Sequence, residues 1–308
     1  MSEATPPIRR ALVLSGGGGR GAYEVGVWRR LQEIGWQPDI ICGTSIGAIN
    51  GALIGSGWDA DRLEQLWASL HDKNIFKLSV WRRIKYRVNK LLGRQPDWPA
   101  FMDNEPARRM LTEILDLQRL RQDQPRVVVA ATNVRRAKLE YFSGAELTAE
   151  HILASCSIPA IFPWCEINGE LYWDGGVMAN TPIAPAISAG ATEILVVLMA
   201  PLAGEQVDLP QSTRQALAWA FDMITIGSAQ NLTRGLAYHL GGDFRDFESG
   251  LAEHHCVEIG GIRIGVVEPT RASGLDSVLD LDQGNVKARI EAGYADARDQ
   301  LQKMFVQT

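Results

Sequence analysis

The sequence predicts an α/β fold built on a mostly parallel central sheet. Three observations carry that expectation. Short apolar runs without alternation, Ala11–Leu14, Ile40–Cys42, Val127–Ala131 and Ile194–Met199, read as strands covered on both faces. Stretches with helical spacing of apolar residues lie between them. The length of 308 residues, with 46% hydrophobic and 22% charged residues, suits one large domain over 8–308 with a sizeable core and little disorder.

Taken in order, Ala11–Leu14 runs into Ser15 and four glycines, Gly16 to Gly19, then Arg20, Gly21 and a helix carrying Ala22, Val25, Trp28 and Leu31. Ile40–Cys42 leads into Gly43-Thr44-Ser45-Ile46-Gly47 and a helix over Ala48 to Ser56, stopped by Gly57. Asp59 caps the next helix, with Leu63, Leu66, Trp67 and Leu70 on one face. Asp103 or Asn104 caps a helix through Leu115, with Pro106 in its first turn. Lys138–Phe142 is a strand beside Val127–Ala131, and Thr148 caps a short helix to Ser155. Two prolines make Ser157–Pro163 a loop. Cys165–Trp173, turning at Asn168-Gly169, is a hairpin that delivers Asp174-Gly175-Gly176. Gln211–Leu232 has a long helical pattern, Gly241–Glu253 reads as a surface loop, and Val257–Val267 holds one or two strands. An amphipathic helix over Gln283–Phe305 ends the chain, with Val286, Ile290, Tyr294, Ala297 and Leu301 on one face.

Residues 71–101 read as an inserted basic cap. From Lys73 to Arg94 stand eight basic residues and no acidic one, so the rest of the chain nets −13 against −5 overall. Trp81, Ile84, Val88, Leu91 and Leu92 share one helical face opposite the basic side chains. Such a helix suits an anionic membrane surface; the alternative is a solvated helix whose apolar face covers the core. The overall negative charge argues against a nucleic-acid partner. No signal-peptide run precedes the first strand and no apolar run spans a bilayer, so a cytoplasmic protein is expected, with peripheral membrane contact through the cap as the alternative. Cys42, Cys156, Cys165 and Cys256 are scattered, which points to buried free thiols and to neither a metal site nor a disulfide framework.

Three motifs carry chemistry. Gly43-Thr44-Ser45-Ile46-Gly47 is G-x-S-x-G between strand and helix, the context of a nucleophile elbow; a plain tight turn is the alternative. The Gly16–Gly19 run leaves backbone N–H groups free beside a helix start, an anion site. Gly16, Gly18 and Gly21 also spell G-x-G-x-x-G, but the second strand ends in Cys42-Gly43-Thr44 with no acid for a ribose, and no Gly-Lys-Ser/Thr makes a P-loop. Asp174-Gly175-Gly176 is a turn or a positioned base.

The order and spacing of these motifs, together with Ser155-Cys156-Ser157-Ile158-Pro159-Ala160-Ile161-Phe162-Pro163, resembles the patatin-like phospholipase family from about Ala11 to Met199. The resemblance implies a three-layer α/β/α fold and a lipid acyl hydrolase with a Ser–Asp dyad. It makes Ser45 the nucleophile and Asp174 its partner, with the amides of Gly17, Gly18 and Gly19 as the oxyanion hole. Gly16, Arg20, Gly21, Gly43, Gly47, Gly175 and Gly176 shape the loops, and no cofactor or metal is required. Ser15 stands where plant members typically have Asp, and Trp164 where many members have a second proline. Neither departure removes a reacting group.

Two rival readings fit the residues. One is an α/β-hydrolase triad of Ser45, Asp174 and one of His239, His254 or His255, which fall in the right chain order. Against it, the elbow follows only the second strand and a glycine-rich loop occupies the first. The other is a catalytically silent module that binds lipid or membrane through the basic cap.

Overall fold

The computed structural model describes residues 8–70, 77–78, 88–89, 91–92, 100, 102–201, 209–212, 250–251, 253–270 and 280–305, with single positions at 216, 223, 227 and 235. Most of the expected cap at 71–101, of the helix at 211–232 and of the loop at 241–253 lies outside them.

Eleven strands are described. They are β1 (Arg10–Leu14), β2 (Ile40–Thr44), β3 (Lys77–Leu78), β4 (Met102–Asp103), β5 (Arg126–Asn133), β6 (Lys138–Ser143), β7 (Cys165–Ile167), β8 (Glu170–Asp174), β9 (Glu193–Val197), β10 (Cys256–Ile259) and β11 (Ile262–Val267). Nine of them form one sheet in the order β10-β11-β9-β1-β2-β5-β8-β7, with β6 also paired to β5. The five strands from β11 to β5 are parallel, and antiparallel pairs flank them on both sides. β3 and β4 make a separate two-stranded ladder.

The apolar runs lack alternation because both faces of the sheet are covered. Leu12, Leu14, Ile41, Val129 and Val197 point into one buried layer, and Ala11, Val13, Ile40, Cys42 and Val196 into the other. The first layer takes residues from α1 (Ala22–Glu33), α2 (Ile46–Gly55), α3 (Ala60–Ser69), α4 (Glu105–Ile114), α5 (Leu117–Arg121) and α6 (Ala149–Ser155). The second takes residues from α7 (Ala184–Ser188). The result is the three-layer α/β/α arrangement. The final helix, α8 (Gln283–Phe305), lies against α1 so closely that a Cβ on Gly26 would strike the Ile290 carbonyl, and one on Gly293 the Tyr23 carbonyl.

One edge of β5 sets up the site. β2 runs parallel to it from Ile40 opposite Arg126 to Thr44 opposite Ala130. β8 runs antiparallel along the same edge, from Tyr172 opposite Asn133 to Asp174 opposite Ala131. β6 covers the other edge. Two strands therefore meet end to end at Ala130 and Ala131, and the residues at that junction, Ser45 and Asp174, are forced together.

Candidate active site

Ser45 sits between β2 and α2 at φ 55°, ψ −125°, a left-handed backbone that a non-glycine residue adopts only at a cost of about 1–3 kcal/mol. The flanking glycines permit it. A Cβ on Gly43 would run into the Gly47 carbonyl, and one on Gly47 into the Leu14 carbonyl. The turn is thereby pressed against the end of β1. The Ser45 amide donates to Ser155 Oγ at 2.9 Å, and Cys156 Sγ donates to the Ser45 carbonyl at 3.1 Å.

Ser45 Oγ donates to Asp174 Oδ2 at 2.6 Å. The other carboxylate oxygen, Oδ1, accepts from the Gly176 amide at 2.7 Å, so the turn after Asp174 fixes its rotamer. The Asp174 backbone is held too: its amide donates to the Ser157 carbonyl at 3.0 Å, and its carbonyl accepts from Thr132 Oγ1 at 3.0 Å. Gly175 must be glycine because a Cβ there would strike the Ala130 carbonyl. Ser45 is 7% exposed and Asp174 1%. Burial pushes the Asp174 carboxyl up to about 7, against the hydrogen bonds from Ser45 and Gly176 that favour its charged form.

The glycine run follows β1 and closes into a short 3₁₀ turn over Gly18–Gly21 with no side-chain cap. Asn180 grips its start: the Gly16 amide donates to the Asn180 carbonyl at 3.1 Å, and Asn180 Nδ2 donates to the Gly16 carbonyl at 3.1 Å. Ser15, the departure from the plant pattern, is buried and pairs with Thr181 Oγ1 at 2.9 Å. Thr44 Oγ1 donates to the Ala179 carbonyl at 3.0 Å, so residues 179–181 tie all three motif loops together. Arg20 is buried, and a Cβ on Gly21 would strike Ile46.

Gly18, Gly19 and Ser45 line one cavity. Its walls are apolar, with Ile49, Leu66, Met110, Leu153, Phe162 and Leu281 from six segments of the chain. Asn50 also lines it, yet its polar groups are turned to partners: Nδ2 donates to the Gly21 carbonyl and to Glu24 Oε2, and Oδ1 accepts from Trp67 Nε1. Burial raises the Glu24 carboxyl well above its ordinary value, against the hydrogen bond from Asn50. Gly17 is not among the lining residues; a Cβ there would strike the Met199 side chain.

No described histidine lines this cavity. His254 and His255 precede β10, four strands from β2 and therefore about 19 Å away at ordinary strand spacing. His239 lies outside the described residues. The four cysteines are free thiols, with Cys42 and Cys165 buried and Cys156 and Cys256 half-buried. Burial pushes Cys42 up to about 12 and Cys165 to about 11, and raises Cys156 well above the ordinary thiol value. Sequence reasoning named Ser45, Asp174 and the glycines; it missed the positioning roles of Thr132 and Asn180, and of Ser155 within the loop motif. Those are common polar residues whose partners lie between 42 and 164 positions away in sequence.

A sequence model of the family described as patatin-like phospholipase matches residues 12–187, more than half of the chain. The chain belongs to the patatin-like phospholipase family. Among curated members it is 28% identical over 197 residues to lysophospholipase NTE1 of Candida glabrata, a match covering 60% of this chain and 10% of that protein. It is 30% identical over 191 residues to the uncharacterized NTE family protein Mb1092c of Mycobacterium bovis, covering 59% of this chain and 47% of that one. The chain thus spans about a tenth of NTE1. Among solved structures, VipD of Legionella pneumophila superposes with a TM-score of 0.51 at 17% identity, over 97% of this chain and 67% of that one, a likeness of fold. Among the described residues no helix is long and apolar enough to cross a membrane.

Proposed function

We propose that this patatin-like protein is a lipid acyl hydrolase that cleaves carboxylic esters of phospholipids or lysophospholipids through an acyl-enzyme on Ser45. The observation that carries the reading is the 2.6 Å contact from Ser45 Oγ to Asp174 Oδ2 at the wall of an apolar cavity. Asp174 takes the Ser45 proton as Oγ attacks the ester carbonyl. A carboxyl lifted to about 7 is a better base than a solvated aspartate and still ionises near neutral pH. The developing oxyanion is met by the amides of Gly18 and Gly19, the glycines that line the cavity with Ser45. We leave Gly17, expected as a third donor, with a role in shaping the loop. The Ser45 amide already donates to Ser155 Oγ and is not counted among the oxyanion donors. Asp174 returns the proton to the leaving alcohol, then activates water for attack on the acyl-enzyme. The acyl chain lies along the apolar wall. The lysophospholipase names of the NTE1 relatives favour a single-chain substrate. The basic segment within 71–101 supports peripheral contact with an anionic membrane.

The test is twofold. A fluorophosphonate probe labels wild-type protein at Ser45, and mass spectrometry of a mixed lipid extract shows fatty acid release that Ser45→Ala abolishes. Equal release by Ser45→Ala would sink the reading. Absence of labelling in folded protein would favour a silent lipid-binding module.

A further inference from the structure

The glycine run is the softest backbone in the site, since glycine has the most conformational freedom to lose. Its first residue is gripped by Asn180, and the Arg20 amide closes the turn onto the Gly17 carbonyl at 3.2 Å. Between these, the carbonyl of Gly19 takes a hydrogen bond from far along the chain. Arg289 of α8 donates from Nη1 to the Gly19 carbonyl at 3.1 Å. The same nitrogen donates to the Asp280 carbonyl at 2.8 Å, and Nη2 donates to Asp280 Oδ2 at 2.8 Å. The Arg289 side chain is only 14% exposed. Asp280 is itself fixed by donation from Asn285 Nδ2 and from the Asp282 amide. Leu281, the next residue, lines the apolar cavity. The glycine crossing of α1 and α8 gives the guanidinium a rigid base.

We propose that Arg289 is a positioning residue for the acyl-transfer step, whose guanidinium pins the Gly19 carbonyl and so aims the Gly18 and Gly19 amides at the oxyanion beside Ser45. The inference rests on the acyl-hydrolase reading above. The Gly19 carbonyl shares one rigid peptide plane with the Arg20 amide, which donates to the Gly17 carbonyl, so the guanidinium holds that plane and with it the closed turn that carries the Gly18 and Gly19 amides. The bond is charge-assisted, hence stronger than one from a neutral donor. A planar guanidinium has donors enough to hold Asp280 and Gly19 together; an ammonium at the same position lacks that fork. Arg289 lies beyond residue 187, where the family match ends, and joins the last helix to the first loop.

The experiment compares wild type, Arg289→Ala, Arg289→Lys and Ser45→Ala with p-nitrophenyl acetate and p-nitrophenyl decanoate. Arg289→Ala is expected to lower kcat about tenfold or more on both esters, less than outright loss of a donor at about 10²–10³, with KM nearly unchanged. Millimolar guanidinium should restore part of that kcat, ammonium should not, and Arg289→Lys should recover less than half of it. A kcat within threefold of wild type in Arg289→Ala overturns the inference. So does a loss confined to the decanoate, which would mean only a displaced Leu281, or a loss that guanidinium leaves untouched. Should wild type hydrolyse neither ester and escape fluorophosphonate labelling, the acyl-hydrolase reading falls and takes the inference with it.

Discussion

On the proposed mechanism Asp174 is the base at neutral pH, where a solvated aspartate, with a pKa of about 4, is feeble. Burial supplies the difference and gives the site a pH signature. The carboxyl must be ionised to accept the Ser45 proton, so kcat/KM rises with pH through about 7 and falls away on the acid side. The sign for stability is opposite. A folded-state pKa of about 7, raised from 3.8, means the folded protein holds this proton more tightly than the unfolded chain. That contribution is complete below about pH 4 and is lost as pH climbs through 7. Activity and stability thus pull in opposite directions on one group. Asp174→Asn is expected to cut ester hydrolysis by about 10²–10⁴, yet to melt higher than wild type at pH 8. Its advantage in Tm should shrink as pH falls from 7 toward 4. A flat pH–rate profile between pH 5 and 9, or a Tm difference independent of pH, would contradict the assignment.

Ser45 and Asp174 lie 129 residues apart, and only the meeting of β2 and β8 on one edge of β5 joins them. The sequence makes both strands legible, the first by its apolar run and the second by its Asn168-Gly169 turn, observed with φ 53° and 80°. The register is not legible, because it is decided by partners on β5 that carry no mark. The elbow is legible for a different reason. The glycines on either side of Ser45 are demanded by backbone carbonyls, and Gly47 has the Leu14 carbonyl where a Cβ would go. A backbone atom cannot swing aside as a side-chain tip can. Gly47→Ala is therefore expected to cost about 1–3 kcal/mol, read by denaturant unfolding, and to lower kcat by displacing the start of the glycine run. The cavity offers a test at α4, which brings Met110 to the wall. Met110→Trp fills space without touching Ser45. It should lower kcat/KM for long-chain esters about tenfold or more relative to the acetate, since each lost methylene site is worth about 1–3 kcal/mol. An unchanged chain-length profile would place the acyl chain elsewhere.

Over the whole molecule, the motifs reveal the proposed catalytic residues more readily than the contacts around them. Gly16–Gly21, Gly43–Gly47 and Asp174–Gly176 announce themselves because glycine is required there. Arg289 on α8 is one arginine among many and gains meaning only from the crossing of α1 and α8. Charge distribution adds a property that no single element has. Eight basic residues between Lys73 and Arg94, in a chain otherwise at −13, segregate the charge along the sequence. At 0.1 M salt the screening length is about 10 Å, so a vesicle surface senses the charges that approach it and hardly those farther off than that. Each basic residue close to an anionic leaflet is worth about 1 kcal/mol. The protein should therefore bind vesicles containing phosphatidylserine and ignore pure phosphatidylcholine, with affinity dropping as salt rises. Replacing Arg82 and Arg83 by Gln removes about 2 kcal/mol on that scale, a weakening of tenfold or more in a sedimentation assay. On the membrane reading, hydrolysis of a soluble short-chain ester by that variant should stay at the wild-type rate while hydrolysis of vesicle-borne lipid declines. Equal binding to both vesicle types, or a parallel fall on the soluble ester, would mean that the segment covers the core and meets no membrane.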